Sequence, residues 1–169
     1  MKQHFIDNLW VAPASGGHIP VINPSHGTVF GHVARGNSDD IDLAVRAART
    51  AFDGAWGRLT ATERGRLLQK LSQSLLQHMD ELVQLESQDC GKPTNQARAD
   101  VNSIARYFEF YAGAADKLMG ETIPYQNGYT VFTIREPQGV TGHIVPWNYP
   151  MQIFGRSVGA SLAAGNACV

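Results

Sequence analysis

The start of the chain alternates apolar and polar residues at short range, a pattern that is typical of strands. Apolar runs flank Asp7 and Asn8, two residues that tolerate left-handed turn geometry, and this arrangement predicts a short hairpin. Two further strands are predicted over residues 19–22 and 28–34, joined by a turn at residues 23–27. The chain is therefore expected to open with a small β layer.

From Asn37 onwards the apolar residues recur three and four positions apart, which predicts amphipathic helices. Asn37 can cap a first helix over about residues 39–54, which carries two acidic residues in its first turn. Thr60 and Glu63 have the spacing of a capping box at the start of a second helical segment. These segments predict a helical layer after the strands.

The second helical segment is predicted to be one long helix, or two helices broken near Asp80, and to end at Gly91. Thr94 can cap another helix, and Gly120 is placed to end it. The apolar stripes of these helices are interpreted as core, because a stripe at helical spacing is what a packed amphipathic helix requires.

The remaining sequence predicts further strands and one helix. Residues 129–135 are rich in β-branched and aromatic side chains and follow a turn signal, which predicts an exposed strand. Residues 139–145 are mostly apolar and predict a buried strand. A tight connection, a helix over residues 151–164 and a strand at residues 166–169 complete a predicted βαβ unit. Because parallel strands need neighbours, the chain is expected to stop within an α/β domain.

The composition argues against two classes of partner. The 14 basic and 15 acidic side chains nearly cancel, so no net field attracts nucleic acid or an anionic membrane. No apolar stretch approaches the roughly 20 residues that cross a bilayer, and Asp7 follows the start too soon for a signal peptide. We therefore expect a cytoplasmic protein. Cys90 and Cys168 lack a metal-ligand spacing and are expected to be reduced thiols.

Candidate chemistry lies in the connection of the βαβ unit, because ligands bind beyond the carboxyl ends of strands in open α/β folds. The amide of Asn148 can stabilise an oxyanion that forms on a carbonyl substrate; alternatively, Asn148 simply caps the helix that enters at Pro150. The connection lacks the glycine pattern of the usual dinucleotide site, so these residues alone leave the cofactor open. His143 is interpreted as a satisfied histidine without a catalytic role.

The stretch Gly-His-Ile-Val-Pro-Trp-Asn-Tyr-Pro, residues 142–150, resembles a motif of the NAD(P)-dependent aldehyde dehydrogenase family. Other stretches are similar to the amino-terminal landmarks of that family in order and spacing. They are Phe5-Ile6-Asp7-Asn8-Leu9-Trp10, Asn23-Pro24, Ala47-Ala48-Arg49-Thr50-Ala51-Phe52, Arg64-Gly65-Arg66-Leu67-Leu68, Gly91-Lys92-Pro93, Tyr111-Ala112-Gly113, Glu136-Pro137-Gln138-Gly139-Val140 and Ala164-Gly165-Asn166. The resemblance therefore covers essentially the whole chain.

The resemblance implies the amino-terminal part of the aldehyde dehydrogenase fold, an α/β fold that is truncated here. Residues 1–120 correspond to the amino-terminal strands and helices of the cofactor-binding domain. Residues 121–138 form a hairpin similar to the family's oligomerisation arm, which implies a homo-oligomer in the full-length form. Residues 139–169 correspond to the first βαβ unit of a Rossmann-like dinucleotide-binding sheet, left incomplete.

The resemblance also implies roles for individual residues. Asn148 supplies the side-chain half of the oxyanion hole. The cleft for NAD or NADP is lined by Val145, Pro146 and Trp147. Ile22, through its carbonyl, and Asp89 match positions that hold a monovalent cation in some members of the family.

Three residues concern the substrate. Gln152 and Arg156 are four positions apart on the predicted helix and share a face close to Tyr149, a face that borders the aldehyde funnel in the family. Members that oxidise semialdehydes of carboxylic acids carry an arginine at the position matching Arg156. The alternative is a surface arginine that extends into solvent.

The resemblance implies an oxidoreductase that converts an aldehyde to a carboxylic acid with NAD or NADP, through a cysteine thiohemiacetal. The nucleophilic cysteine, the glutamate base and the lysine for the cofactor phosphate are expected beyond Val169, so the 169 residues alone are predicted to be inactive. Two other functions stay open. One is a non-catalytic module that associates with full-length subunits through the strand at 129–135, and the other is a bare nucleotide-binding domain.

Overall fold

The computed structural model describes residues 2–169, and two antiparallel hairpins open the chain. They are β1 (His4–Ile6) with β2 (Leu9–Val11), and β3 (His18–Asn23) with β4 (Thr28–Ala34). The first hairpin turns at Asp7 and Asn8, whose φ angles are 52° and 60°. Aspartate and asparagine adopt this left-handed geometry more readily than other side chains. The predicted β layer is confirmed.

The helical layer is also confirmed, and its helices are α1 (Ser38–Asp53), α2 (Ala61–Gln77), α3 (Met79–Cys90), α4 (Thr94–Ala114) and α5 (Pro150–Ala163). Reciprocal capping boxes start α1 at Asn37 and α2 at Thr60. The sequence predicts the box at Thr60, and at Asn37 it predicts the cap without the reciprocal bond from Asp40. The break between α2 and α3 falls at His78, close to Asp80. Gly91 ends α3 in the left-handed region, at φ 69°. Within residues 2–169 no helix has the length and apolar character of a membrane span.

Both predicted boundaries of α4 are wrong. Thr94 is the first helical residue and caps nothing, because Pro93 holds the cap position with the extended backbone that its ring favours. The helix ends at Ala114 and continues into a short 3₁₀ turn at Ala115–Lys117, before Gly120 is reached. Gly120 serves a different purpose, since a Cβ there would lie 1.8 Å from the carbonyl oxygen of Thr133. It allows two backbone segments to approach each other closely.

Those two segments begin the exposed hairpin, in which β5 (Thr122–Ile123) pairs with β6 (Val131–Phe132). The ladder is shorter than the predicted strand at 129–135. One more hydrogen bond, from the Thr133 amide to the Glu121 carbonyl at 2.8 Å, extends it. Within residues 2–169 no strand pairs with the residues after Thr133, so the ladder ends there. The predicted exposure is confirmed for Phe132 and Ile134.

The last part of the chain forms the predicted βαβ unit, in which β7 (Val140–Thr141) and β8 (Ala167–Cys168) are parallel and α5 connects them. The buried strand predicted over 139–145 is wrong in its second half. Backbone pairing reaches only His143, and the side chain of Ile144 is 99% exposed. Within the described residues β7 has β8 as its one neighbour, so its other hydrogen-bonding edge is unpaired there.

The main core lies where α2, α4 and α5 meet, around the fully buried ring of Phe108. Gly155 of α5 lets this helix approach α4, because a Cβ there would lie 2.7 Å from Cγ1 of Ile104. Such close packing tolerates little displacement of one helix against the other. The core therefore fixes the position of α5, and with it the connection that enters α5 from β7.

Candidate functional site

The connection between β7 and α5 lies where an open α/β fold binds ligands, at the carboxyl end of a parallel strand and the amino end of a helix. Pro150 is the first residue of α5, a position at which proline costs no hydrogen bond. Tyr149 holds the cap position, and no side chain caps this helix end. The first amides of α5 are thus left without a side-chain partner, which favours a polar ligand here.

Asn148 lies in this connection with an exposed side chain. Because no side chain caps α5, the alternative in which Asn148 is simply a helix cap is wrong. Its carboxamide carries two N–H donors and has no charge. The geometry therefore leaves this donor available to a ligand at the end of β7.

The three residues before Asn148 form an apolar strip. Trp147 is 83% exposed, and Val145 and Pro146 are exposed as well. Large apolar groups exposed side by side indicate a surface that a ligand or another part of a protein covers. A flat indole fits a nucleotide ring, whereas the connection offers no glycine-rich turn for close approach to phosphates. The strip could therefore pack against a ring of a nucleotide, but it offers no binding site for the phosphates.

The structure separates the three residues assigned to the substrate. Tyr149 and Arg156 are exposed, and Arg156 takes part in none of the ion pairs found within residues 2–169. Gln152 is half-buried, and its Nε2 donates to Oδ1 of Asp100 at 2.6 Å. The amide of Gln152 is therefore engaged inside the protein, while Arg156 is exposed and Tyr149 is exposed over only part of its surface.

The two residues assigned to a monovalent cation lie on neighbouring elements, Ile22 in β3 and Asp89 near the end of α3. Asp89 lines a cavity of about 430 Å³ between these elements, together with Val21 and Glu86. In the part of the chain that the structure describes, no three His, Cys, Asp or Glu side chains are grouped to hold a metal. The cation site stays a prediction.

A buried charge cluster next to the connection was missed by the sequence analysis. Nζ of Lys92 lies 2.6 Å from Oε1 of Glu86 and 2.6 Å from Oδ2 of Asp100; both acids are buried, and the lysine side chain is 9% exposed. Nζ also lies 4.4 Å from the centroid of the Tyr149 ring. The one signal in the sequence is Gly-Lys-Pro at residues 91–93, a resemblance that assigns no chemistry to the lysine.

The cluster is electrostatically paired. Burial opposes the charge of Lys92, but its hydrogen bonds to Asp100 and Glu86 outweigh burial and raise the pKa of the ammonium. Burial also raises the pKa of the Glu86 carboxyl, and the hydrogen bond from Lys92 offsets this only in part. Lys92 is therefore held in its protonated form, as a hydrogen-bond donor and not as a base.

Cys90 also touches the connection, because its thiol donates to the carbonyl oxygen of Trp147 at 3.2 Å. Burial, reinforced by the nearby Glu86 carboxylate, raises the pKa of the Cys90 thiol to about 11. A thiol with that pKa is protonated at neutral pH and is a poor nucleophile. Cys90 and Cys168 are both free thiols.

His143 has partners on both ring nitrogens. Nδ1 lies 2.6 Å from Oγ of Ser157, and Nε2 lies 3.0 Å from Oγ1 of Thr141. The ring is therefore satisfied by neighbouring hydroxyl groups, as the sequence analysis expected.

Comparison with known proteins gives consistent matches. The model of the aldehyde dehydrogenase family matches residues 10–169. The Arabidopsis thaliana protein "Aldehyde dehydrogenase family 2 member B4, mitochondrial" is 46% identical over 169 residues, which are 99% of this chain and 31% of that protein. A crystal structure of a candidate aldehyde dehydrogenase from Burkholderia cenocepacia is 63% identical, with a TM-score of 0.97 over 98% of this chain and 35% of that one.

A second solved structure, the NAD⁺ complex of an aldehyde dehydrogenase from Bacillus cereus, is 37% identical. Its TM-score is 0.96, and the match covers 99% of this chain and 34% of that chain. The chain thus spans about a third of the length of the relatives that it matches.

Proposed function

The chain belongs to the aldehyde dehydrogenase family, and on this basis we propose that it is the amino-terminal portion of an enzyme that oxidises an aldehyde to a carboxylic acid. NAD or NADP is the proposed oxidant and accepts a hydride when bound. Because the chain spans about a third of its relatives, we assign the nucleophile and the base to a part of the enzyme outside these 169 residues. The described residues contribute to binding and to charge stabilisation.

The observation that carries this proposal is the exposed carboxamide of Asn148, which follows β7 and does not cap α5. When a nucleophile attacks an aldehyde carbon, negative charge develops on the carbonyl oxygen. An uncharged N–H donor held near that oxygen stabilises the charge without taking part in proton transfer. We therefore assign Asn148 to the oxyanion hole.

The proposed cofactor cleft is lined by Val145, Pro146 and Trp147. Their exposed apolar surface supports this role, because a bound nucleotide would remove these apolar side chains from contact with water. The similar Bacillus cereus structure contains NAD⁺.

The proposed function is tested by the activity of the full-length protein that contains residues 1–169. The purified protein is incubated with a neutral aldehyde or an aldehyde that bears a carboxylate, together with NAD or NADP, and the absorbance of the reduced nicotinamide is followed. We expect aldehyde-dependent reduction with one equivalent of carboxylic acid formed per cofactor. A folded protein that reduces neither cofactor with either class of aldehyde would refute the proposal.

A carboxylate-bearing aldehyde is the proposed substrate class, because the exposed guanidinium of Arg156 lies on α5, the helix that starts at the site. A guanidinium binds a carboxylate with two parallel hydrogen bonds. We expect Arg156→Leu to raise KM for such aldehydes on the order of 10-fold to 10²-fold, the effect of losing a hydrogen bond to a charged group. KM for neutral aldehydes should stay unchanged.

The matched control is Arg106→Leu, which removes an exposed guanidinium of α4 that is paired with Glu109. It should change KM for neither class of aldehyde. If Arg156→Leu raises KM equally for neutral and charged aldehydes, Arg156 does not recognise a carboxylate.

A homo-oligomer and a cytoplasmic location complete the proposal. The hairpin within residues 121–138 exposes a set of large apolar side chains, Ile123, Tyr125, Tyr129, Phe132 and Ile134, which supports contact with another subunit. The same surface favours a second candidate function, a non-catalytic module that associates with full-length subunits. The activity measurement separates the two, because only the enzyme reduces the nicotinamide.

A further inference from the structure

Three contacts join the connection around Asn148 to one region of the helical layer, the α3–α4 junction, which we define as residues 86–100. The thiol of Cys90 donates to the carbonyl oxygen of Trp147, the residue before Asn148. Nζ of Lys92 lies over the ring of Tyr149, the residue after Asn148. The carboxylate of Asp100 accepts a hydrogen bond from Gln152 in the first turn of α5. Asn148 is therefore flanked on both sides by residues that the junction holds.

Lys92 is the centre of these contacts. Its side chain is 9% exposed, and Nζ is hydrogen-bonded to Glu86 and Asp100 at the same time. A buried ammonium with two carboxylate partners has little freedom to move, because leaving either partner would leave an uncompensated charge in the interior. The ring of Tyr149 thus packs against the ammonium group of Lys92, whose position is fixed by its two carboxylate partners.

Asn148 itself has no comparable anchor, since its side chain is exposed and makes no capping hydrogen bond. An oxyanion donor stabilises charge only when its N–H group points at the position that the oxygen occupies, and a displacement of about 1 Å can cost on the order of 10²-fold in rate. The orientation of Asn148 must therefore come from the backbone on either side of it. The contacts of the α3–α4 junction supply that restraint.

We propose that Lys92 is a positioning residue for the oxyanion hole: its ammonium, held between Glu86 and Asp100, fixes Tyr149 and thereby orients the amide of Asn148. This proposal rests on the proposed function of Asn148. Lys92 touches no reacting atom, and its role is exerted through the backbone of residues 147–149. The same junction reaches α5 through Asp100 and Gln152, so the connection and the helix it enters are held as one unit.

The test compares two variants of the full-length enzyme that differ only at position 92. Lys92→Met alone leaves two buried carboxylates unpaired and can unfold the region, so Lys92→Met is made together with Glu86→Gln. Glu86→Gln alone is the matched control, because it keeps Lys92 paired with Asp100 and over the Tyr149 ring. We expect kcat of the double variant to fall on the order of 10-fold to 10²-fold relative to Glu86→Gln, with KM for the aldehyde little changed.

Two further variants separate positioning from a general structural effect. Lys92→Arg, made as a single substitution, keeps a cation that can pair with both carboxylates and stack on the Tyr149 ring. This variant should therefore retain most of the wild-type kcat. In an Asn148→Ala background, loss of Lys92 should lower kcat no further, because the group that it positions is already absent. A full additional loss of kcat in that background would show that Lys92 acts elsewhere.

Hydrogen exchange gives a readout that does not depend on activity. We expect faster exchange over residues 144–154 in the double variant than in Glu86→Gln, and equal exchange over α2 in both proteins. Equal exchange over 144–154, or acceleration that extends to α2, would overturn the positioning role. If the wild-type enzyme oxidises no aldehyde, the proposed function fails, whereas the exchange measurement still decides whether Lys92 orders the connection.

Discussion

Replacing Asn148 with alanine in the full-length enzyme should lower kcat for aldehyde oxidation on the order of 10²-fold to 10³-fold, the effect of removing one oxyanion-hole donor. KM for the aldehyde should change little, because the hydrogen bond forms to charge that develops only in the transition state. The structure supports this expectation through the position of Asn148 after β7, where its amide is exposed and caps no helix. Steady-state kinetics of nicotinamide reduction provide the measurement.

The control for this experiment is Asn102→Ala, which removes an exposed amide of α4 that donates to the carbonyl oxygen of Arg98 at 3.0 Å. It changes the same functional group at a distance from the connection and should leave kcat unaltered. Asn148→Asp is a second variant, because it replaces a donor with a negative charge beside the developing oxyanion. A kcat for Asn148→Ala close to that of Asn102→Ala would remove Asn148 from the oxyanion hole.

Phe108→Ala should destabilise the core between α2, α4 and α5 by about 3–5 kcal/mol, as expected for truncation of a fully buried aromatic side chain. Phe108 has no exposed surface, and it packs with Leu68, Ile104 and Ala163. The cavity left behind has little means of collapsing, because Gly155 and Gly159 already bring α5 close to α4. Native-state hydrogen exchange of the α4 amides in the full-length protein measures the effect locally.

Phe110→Ala is the matched control for Phe108→Ala. Phe110 lies on the same helix, but its side chain is 58% exposed and packs edge to face on Tyr111. Its truncation should change the protection of α4 by less than about 1 kcal/mol. If both variants accelerate exchange equally, the core is not centred on Phe108.

The sequence predicts best those features that depend on a few adjacent residues. The cap at Asn37 and the capping box at Thr60 involve residues no more than three positions apart, and the sequence predicts both. The same holds for the turn at Asp7 and Asn8 and for the end of α3 at Gly91, where the local backbone geometry selects the residue type. For these features the local chemistry and the fold agree.

Features that depend on distant partners were missed or misplaced. The strand predicted over 139–145 is short because pairing partners, and not local β propensity, decide how far β7 extends. The hydrogen bond between Gln152 and Asp100 joins residues 52 positions apart, so nothing near Gln152 predicts it. The cluster around Lys92 draws on two helices and the turn between them, and the sequence analysis saw only its Gly-Lys-Pro turn.

The candidate site shows the same division. The sequence placed Asn148 correctly in the connection between the first parallel strand and the next helix, because the change from an apolar strand to a proline-flanked turn is a local signal. The sequence does not show whether the side chain of Asn148 caps α5 or is free, because this depends on the backbone geometry at the start of that helix. The resemblance to a family assigned the role, and the structure removed the competing interpretation.

Gly120 also has a meaning at the level of the gene. The backbone there passes so close to Thr133 that a Cβ would lie 1.8 Å from its carbonyl oxygen. In the genetic code, every single-base missense change of a glycine codon introduces a residue with a Cβ. We therefore expect every missense change at codon 120 to disturb the close approach of Gly120 to Thr133. Natural missense variants should accordingly be rarer at Gly120 than at Gly113, where the space beside the backbone is open.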